Sequence, residues 1–380
     1  MTGTLSYNQY HTISEHMSKI LFFTDNHIGA RNGSATFRNL FRDYFKNTLF
    51  PRIIADDIKD VFCLGDFFDN RNSLTLHDID YVKNEFIPQF QATGATLHII
   101  AGNHDVAFRN TNAVNSLSMF KNVEGFKVYD MEIDVVDIDG VKFVLCPWIN
   151  NSNHDEFMEQ LKFYANDEHI LLCHGEFVGT KMYKHSIACE SGLNPSDFSK
   201  FLKVLSGHFH HPNRYGNIEY IGALFHFNWQ DHDDWRGFQV WDLETGDIEK
   251  VENTQCLFDQ VELSTLVEFQ DHPEFDFSTF SGKIVRIVIN EDYDTVDLKT
   301  MIARIEQENP VSLDVIDNTI LERPELNEVE EDDDDPDQSD KETLWYFEQA
   351  ITNENVNREA LLELANVLYT EAHTKMKEIE

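Results

Sequence analysis

An α/β fold is predicted for residues 18–251, on three observations. Short apolar, β-branched runs alternate with segments of helical length. Their order, strand then helix then strand, favours parallel pairing. Five polar motifs each begin where such a run ends, the place where open α/β sheets build their sites. In chain order the predicted strands are Ser18–Thr24, Asp60–Leu64, Thr96–Ile100, Val141–Cys146, His169–Cys173 and Lys203–Leu205. Helices are predicted near Ala35–Asp57, Leu76–Gln91 and His154–Ala165. Tyr220–Ile221, Phe238–Trp241 and Ile248–Val251 read as meander strands, with Glu244-Thr-Gly-Asp247 as a turn.

The 380 residues suggest two domains with appendages. A second, small α+β unit is expected over 258–324, with strands at Lys283–Ile289 and Val311–Ile316 around a helix at Leu298–Glu308. Residues 325–340 hold ten acidic side chains and no basic one, the composition of a solvated linker. Beyond them, Leu344, Phe347 and Ile351, then Leu361, Leu364 and Leu368, recur at helical spacing over residues 341–380. Two amphipathic helices on a linker cannot bury their apolar faces alone, so they either dock on a partner or fold back on the body. Residues 1–16 are polar, without the apolar region or cleavage pattern of a signal peptide, and read as a frayed extension.

Composition excludes several classes. With 41% hydrophobic and 12% aromatic residues the chain can bury a core, so wholesale disorder is out. No stretch reaches the roughly 18 apolar residues of a membrane span. Five cysteines without a C-x-x-C pair, three of them in or beside apolar runs, read as small buried hydrophobes in a reducing, cytoplasmic setting. The net charge of −38 argues against a polyanionic partner, because both the body and the acidic linker would repel it.

The motifs point to a metal centre. They are Asp25-Asn26-His27, Gly65-Asp66-Phe67-Phe68-Asp69, Gly102-Asn103-His104-Asp105, His174-Gly175 and Gly207-His208-Phe209-His210. Carboxylate, imidazole and amide donors in this mixture suit manganese, iron or zinc, and the shortage of thiolates argues against a structural zinc. In extended chain, residues two apart share a side, which would aim Asp25 with His27, and His208 with His210, at one cavity. Asp66 is the natural bridge, since a carboxylate can share its oxygens between cations about 3.5–4 Å apart. The glycines before Asp66, Asn103 and His208 would let the chain turn sharply into the cleft. Singly, each motif has a bland reading: a core histidine for His174, a helix cap for Asp25 or Asp66, a turn for Gly102-Asn103. Their joint occurrence, in order and behind strands, is what carries weight. A hydrolase of phosphate esters working at neutral pH follows.

In this order the motifs resemble the calcineurin-like metallophosphoesterase superfamily. More narrowly, with Tyr220-Ile221-Gly222, Arg236-Gly237-Phe238, Arg358-Glu-Ala-Leu361, Ala365-Asn366 and Leu368-Tyr369, the chain is similar to the SbcD-type nucleases of DNA double-strand-break repair. The likeness is strongest to the recombination endonuclease subunits of T-even-type phages. That resemblance implies an α-β-β-α sandwich over residues 17–257 with a small capping domain at 258–324 and a helical tail at 341–380. It also implies two divalent ions, manganese first with magnesium, iron or zinc as alternatives. Asp25, His27, Asp66 and His210 would hold one of them, and Asp66, Asn103, His174 and His208 the other. His104 would be the histidine that stabilises or protonates the leaving oxygen, with Asp69 and Asp105 as carboxylates that orient imidazoles. The implied partners are DNA, an SMC-like ATPase of the SbcC type bound through Leu344, Phe347, Leu361, Leu364 and Leu368, and a second copy of the chain. For a phage protein the setting would be the host-cell cytoplasm. Arg31, Arg71, Arg109, Lys181, Lys184 and Arg214 follow the motifs and could line a DNA-binding rim. Two readings compete. A phosphatase or small-molecule phosphoesterase of the same fold would usually carry Arg-Gly after the second Asp of G-D-x-x-D and G-N-H-E, where this chain has Asn70-Arg71 and Asp105. A non-catalytic DNA-end scaffold would have no need of the full ligand set.

Overall fold

The computed structural model describes residues 18–272 and 275–319. The N-terminal extension, the acidic linker and the tail with Leu344, Phe347, Leu361, Leu364 and Leu368 lie outside the described residues. In chain order the strands are β1 (Lys19–Phe23), β2 (Asp60–Cys63), β3 (Thr96–Ile100), β4 (Val106–Phe108), β5 (Thr111–Asn115), β6 (Phe126–Tyr129), β7 (Asp134–Ile138) and β8 (Val141–Cys146). They continue with β9 (His169–His174), β10 (Lys203–Gly207), β11 (Arg214–Tyr215), β12 (Ile218–Tyr220), β13 (Gly237–Asp242) and β14 (Ile248–Glu252), and end with β15 (Phe258–Glu262), β16 (Ile284–Ile289) and β17 (Ser312–Asp317).

Two six-stranded sheets result, ordered β14-β13-β1-β2-β3-β6 and β11-β12-β10-β9-β8-β7. β1, β2, β3 and β6 run parallel, as do β8, β9, β10 and β12; antiparallel strands add β13 and β14 at one edge of the first sheet and β11 and β7 at the two edges of the second. The period-two alternation of β1 shows how the layers form. Ile20 and Phe22 turn inward and meet Phe143, Leu145, Leu172 and Leu205 of the other sheet. Leu21 and Phe23 turn outward into a second core with Phe41, Phe45, Phe86 and Phe90. The outer face of the second sheet, through Val144, Leu171 and Val204, packs on Phe157 and Leu161. Four layers follow, α-β-β-α. A ring such as Phe22, at 0% exposure, contributes roughly 1.5–3 kcal/mol by its burial.

The helices covering the first sheet are α1 (Ala35–Tyr44) and α2 (Phe50–Ala55), then α3 (Leu76–Tyr81) and α4 (Ile87–Gln91); α5 (His154–Tyr164) covers the second sheet. Each of the first two pairs is one continuous helix with a wide π turn inside, at Phe45–Leu49 and at Val82–Phe86. Pro51 and Pro88 stand just after these turns. Proline has no N–H to return to the preceding turn and its ring crowds the carbonyl there, and the wider turn absorbs both defects.

After β14 the chain forms a three-stranded parallel sheet, β15-β16-β17, packed with α6 (Leu263–Phe269) and α7 (Thr295–Gln307) on a core of Leu266, Val285, Ile287, Met301 and Ile305. Phe258 of β15 joins the main core instead, 5.1 Å from the Trp229 ring.

Candidate metal centre

The parallel strands deliver the motifs to one rim. Backbone bonds join the first two: Asp25 N donates to Gly65 O (3.1 Å), His27 N to Asp66 O (3.1 Å) and Ile28 N to Phe67 O (2.9 Å). The expected extended geometry is not what brings the side chains together. Asp25 (φ 51°), His27 (φ 47°), Asp66 (φ 50°) and His208 (φ 91°) all lie on the left-handed side of backbone space, at a cost of order 1–3 kcal/mol each. The glycines also differ from expectation. Gly65 has a positive φ of 101°, whereas Gly102 and Gly207 are needed for close approach. A Cβ on Gly102 would lie 2.2 Å from Asp66 Oδ1, and one on Gly207 2.2 Å from Thr24 Oγ1.

Three sets of donor atoms converge, each within 4.8 Å: Asp25, His27 and His210; His27, Asp66 and His104; Asp66, His174 and His208. Asp66 belongs to the second and third sets, and His27 links the second to the first. Asp66 Oδ2 lies 3.9 Å from His27 Nε2 and 3.2 Å from His174 Nε2. The Asn103 amide sits 2.9 Å from both His174 Nε2 and His208 Nδ1. With its nitrogen toward the two rings its oxygen accepts from Arg71 at 3.0 Å, and to ligate a cation the amide must turn that oxygen back to the rings. His27 Nε2 and His210 Nε2 are 3.2 Å apart. Two lone pairs so close repel unless a cation or proton lies between them. With Asp25 and Asp66 buried, the donor set fits two divalent cations.

Electrostatics hold Asp66 and His208 ready as ligands, whereas His174 must give up a proton to a cation. Burial opposes ionisation of Asp66, but the His174 and His104 imidazoles outweigh it and hold the carboxyl well below the usual carboxylate range. Burial, then the neighbouring His174, keep His208 well below the usual histidine value, so its ring stays neutral. At His174 burial is overcome by Asp66, which draws the imidazole up to about 9.

Of the candidate imidazole ligands, His174 has its other ring nitrogen fixed by a hydrogen bond, the arrangement that orients a ligand, while the other three face a carboxylate without hydrogen-bond geometry. His174 Nδ1 meets Leu64 O at 2.7 Å, and His27 Nδ1 lies 3.2 Å from Asp69 Oδ1. His208 Nε2 is 4.0 Å from Glu176 Oε2 and His210 Nδ1 is 3.4 Å from Asp231 Oδ1. Sequence reasoning missed Glu176 and Asp231. Glu176 stands two residues after His174, but Asp231 lies in a loop with no motif of its own. Asp105 departs from its expected role. It accepts from Phe68 N (3.0 Å), Gly102 N (3.0 Å) and Phe67 N (3.3 Å), so it laces two motif loops together through their backbone instead of orienting an imidazole. Burial, then the Asp66 charge, raise its carboxyl to about 7, against those N–H bonds.

His104 is placed by three contacts. Its backbone N donates to Asp66 Oδ1 (2.8 Å), its Nδ1 donates to Asp69 O (2.6 Å), and its ring stands edge-on to His27 at 4.9 Å. That leaves Nε2 for chemistry. Of the rim cations, Arg71 reaches the centre itself. Arg31 spends Nε and Nη2 on Phe227 O, at 3.0 and 2.9 Å. Lys184 pairs with Asp233 (3.3 Å) and Arg214 Nε donates to Gly216 O (3.1 Å). Arg109 lies between β4 and β5, and Lys181 is exposed.

The chain is similar to known proteins. The model of the family described as calcineurin-like phosphoesterase matches residues 18–225. "Exonuclease subunit 1" of Enterobacteria phage T4 is 28% identical over 357 residues, covering 93% of this chain and 99% of its own. Among solved structures, a novel archaeal phosphodiesterase superposes with a TM-score of 0.31 at 13% identity, over 62% of this chain and 99% of its own. A purple acid phosphatase from yellow lupin (Lupinus luteus) gives 0.31 at 16%, over 63% and 46%. Among the described residues, no helix is long and apolar enough to cross a membrane.

Proposed function

The chain belongs to the calcineurin-like phosphoesterase family, and from that premise we propose that this metal-dependent hydrolase is a DNA nuclease that processes DNA ends in recombination and double-strand-break repair, with both exo- and endonuclease action. What supports the reading is that Asp25, His27 and His210 meet in one donor set and Asp66, His174 and His208 in another, with Asp66 3.9 Å from His27 and the Asn103 amide 2.9 Å from His174 and His208. Its likeness to an exonuclease subunit over 93% of its length supports DNA as the substrate.

Asp25, His27, Asp66 and His210 would hold one cation; Asp66, Asn103, His174 and His208 would hold the other, with manganese as the proposed metal. When bound, the two cations neutralise the phosphodiester and acidify the attacking water. The protein's own groups do the rest. Asp69 O accepts from His104 Nδ1, which fixes the ring and leaves Nε2 to deliver a proton to the leaving oxygen. As the water oxygen bonds to phosphorus, the bond to the leaving oxygen breaks and His104 Nε2 hands its proton to that oxygen. Asp69 steadies His27, and Asp105 fixes the spacing of the loops carrying Asp66 and Asn103. In a protein with a net charge of −38, the cations and Arg71 provide the local positive field that receives DNA. We assign further DNA contact to an SMC-like ATPase partner of the SbcC type, docked on residues 341–380, within a homodimeric assembly.

The test is a manganese-dependent nuclease assay on linear duplex and single-stranded DNA, comparing wild type with His104→Ala. Cleavage by wild type and its loss in the variant support the proposal. Equal cleavage by both removes His104 from the mechanism, and cleavage by neither points to a scaffold.

A further inference from the structure

Outside the motifs lies a buried cluster built on one guanidinium. Arg236 is fully buried. Its Nη2 donates to Asp231 Oδ1 at 2.6 Å, and its Nη1 to Asp234 Oδ2 at 2.9 Å and to Trp235 O at 2.7 Å. The two carboxylates answer consecutive histidines. Asp231 Oδ1 faces His210 Nδ1 at 3.4 Å, a charge contact outside hydrogen-bond geometry, and Asp234 Oδ2 lies 2.9 Å from His211 Nδ1. Asp231 is itself at 0% exposure, and its other oxygen accepts from Phe227 N (2.8 Å) and Asn228 N (3.3 Å). The carboxylate is therefore gripped from three sides and cannot turn away from the imidazole. Burying an ion pair stabilises a fold little, because desolvation cancels most of the attraction. A pair retained at 0% exposure beside a candidate ligand calls for another reason.

Resting on the two-cation reading, we infer that Asp231, clamped by Arg236, is a positioning residue for His210. Its buried negative charge favours the ring proton on Nδ1 and so leaves Nε2 unprotonated for the cation shared with Asp25 and His27. Nothing in the D-x-H or G-H-x-H motifs supplies this partner, and a ring without it could rotate or carry its proton on the ligand nitrogen. Removal of such a partner lowers metal affinity by about 10–100-fold.

The experiment titrates manganese into metal-free protein, followed by electron paramagnetic resonance, for wild type, Asp231→Asn and the double variant Asp231→Leu/Arg236→Met. The double variant removes the pair together, so no buried charge is stranded. Wild type is expected to bind two ions, and each variant to bind one unchanged and the other about 10–100-fold more weakly. Nitrogen NMR of histidine-labelled wild type, without metal, is expected to show a proton on His210 Nδ1. A folded variant that binds both ions with wild-type affinity overturns the inference, and so does a His210 whose Nδ1 carries no proton. Should both variants fail to fold, the wild-type spectrum decides. Failure of wild type to bind manganese would sink the two-cation reading instead, and the two failures are distinct.

Discussion

Replacing Asp105 with alanine is expected to destabilise the protein by about 3–5 kcal/mol. The carboxylate is at 0% exposure and accepts from three backbone N–H groups, those of Phe67, Phe68 and Gly102. Truncation leaves three buried donors without an acceptor, at roughly 1–3 kcal/mol each. It also removes the burial cost of the carboxylate, which lifts that group to about 7, and this relief brings the sum down to the lower part of the range. Asparagine is nearly isosteric and makes the sharper comparison. It keeps one accepting oxygen, but its NH2 end must face backbone N–H donors, so Asp105→Asn should lose most of the same stability. The assay is urea denaturation followed by far-ultraviolet circular dichroism, in EDTA so that metal affinity does not enter. A loss under about 1 kcal/mol for alanine would refute the reasoning, since even one stranded donor costs that much.

Three further outcomes follow from the site. His104→Ala should lower hydrolysis of a phosphodiester by about 10²–10⁴-fold with manganese affinity unchanged, as binding isotherms beside rate measurements will establish. EDTA should abolish hydrolysis, and manganese at 100 times its dissociation constant should stabilise the wild type by about 2.7 kcal/mol. That gain, measured by denaturation with and without metal, should vanish in Asp66→Ala. Deletion of residues 341–380 should abolish co-purification with the ATPase subunit while leaving metal-dependent hydrolysis of a small phosphodiester intact.

The sheet strands that carry the motifs were legible because a parallel strand buried on both faces reads as a short apolar run, and β3 and β8 match their expected bounds, Thr96–Ile100 and Val141–Cys146. The strand β15, Phe-Asp-Gln-Val-Glu, was not expected: it is an edge strand with polar residues on its open side. Nor could periodicity reveal the π turns, since they preserve the helix and alter only its hydrogen bonding ahead of Pro51 and Pro88. At the site, motif order pointed to residues that do converge, but for a different local reason. Left-handed backbone at Asp25, His27 and His208, and not the alternation of an extended chain, aims them. Asp231 stayed hidden because its link to His210 spans 21 residues of loop and strand and depends on the grip of Arg236. Asp105 was read from its place in G-N-H-D, which says that a carboxylate is needed there but not that its partners are backbone donors in another motif.

The central claim is that two cations share Asp66. Anomalous diffraction at the manganese edge, from crystals soaked in manganese, tests it most directly. The account predicts two peaks about 3.5–4 Å apart, one between His27 and His210 and one between His174 and His208, with Asp66 touching both. A pocket without peaks, or an Asp66 carboxylate in contact with neither ion, would contradict it.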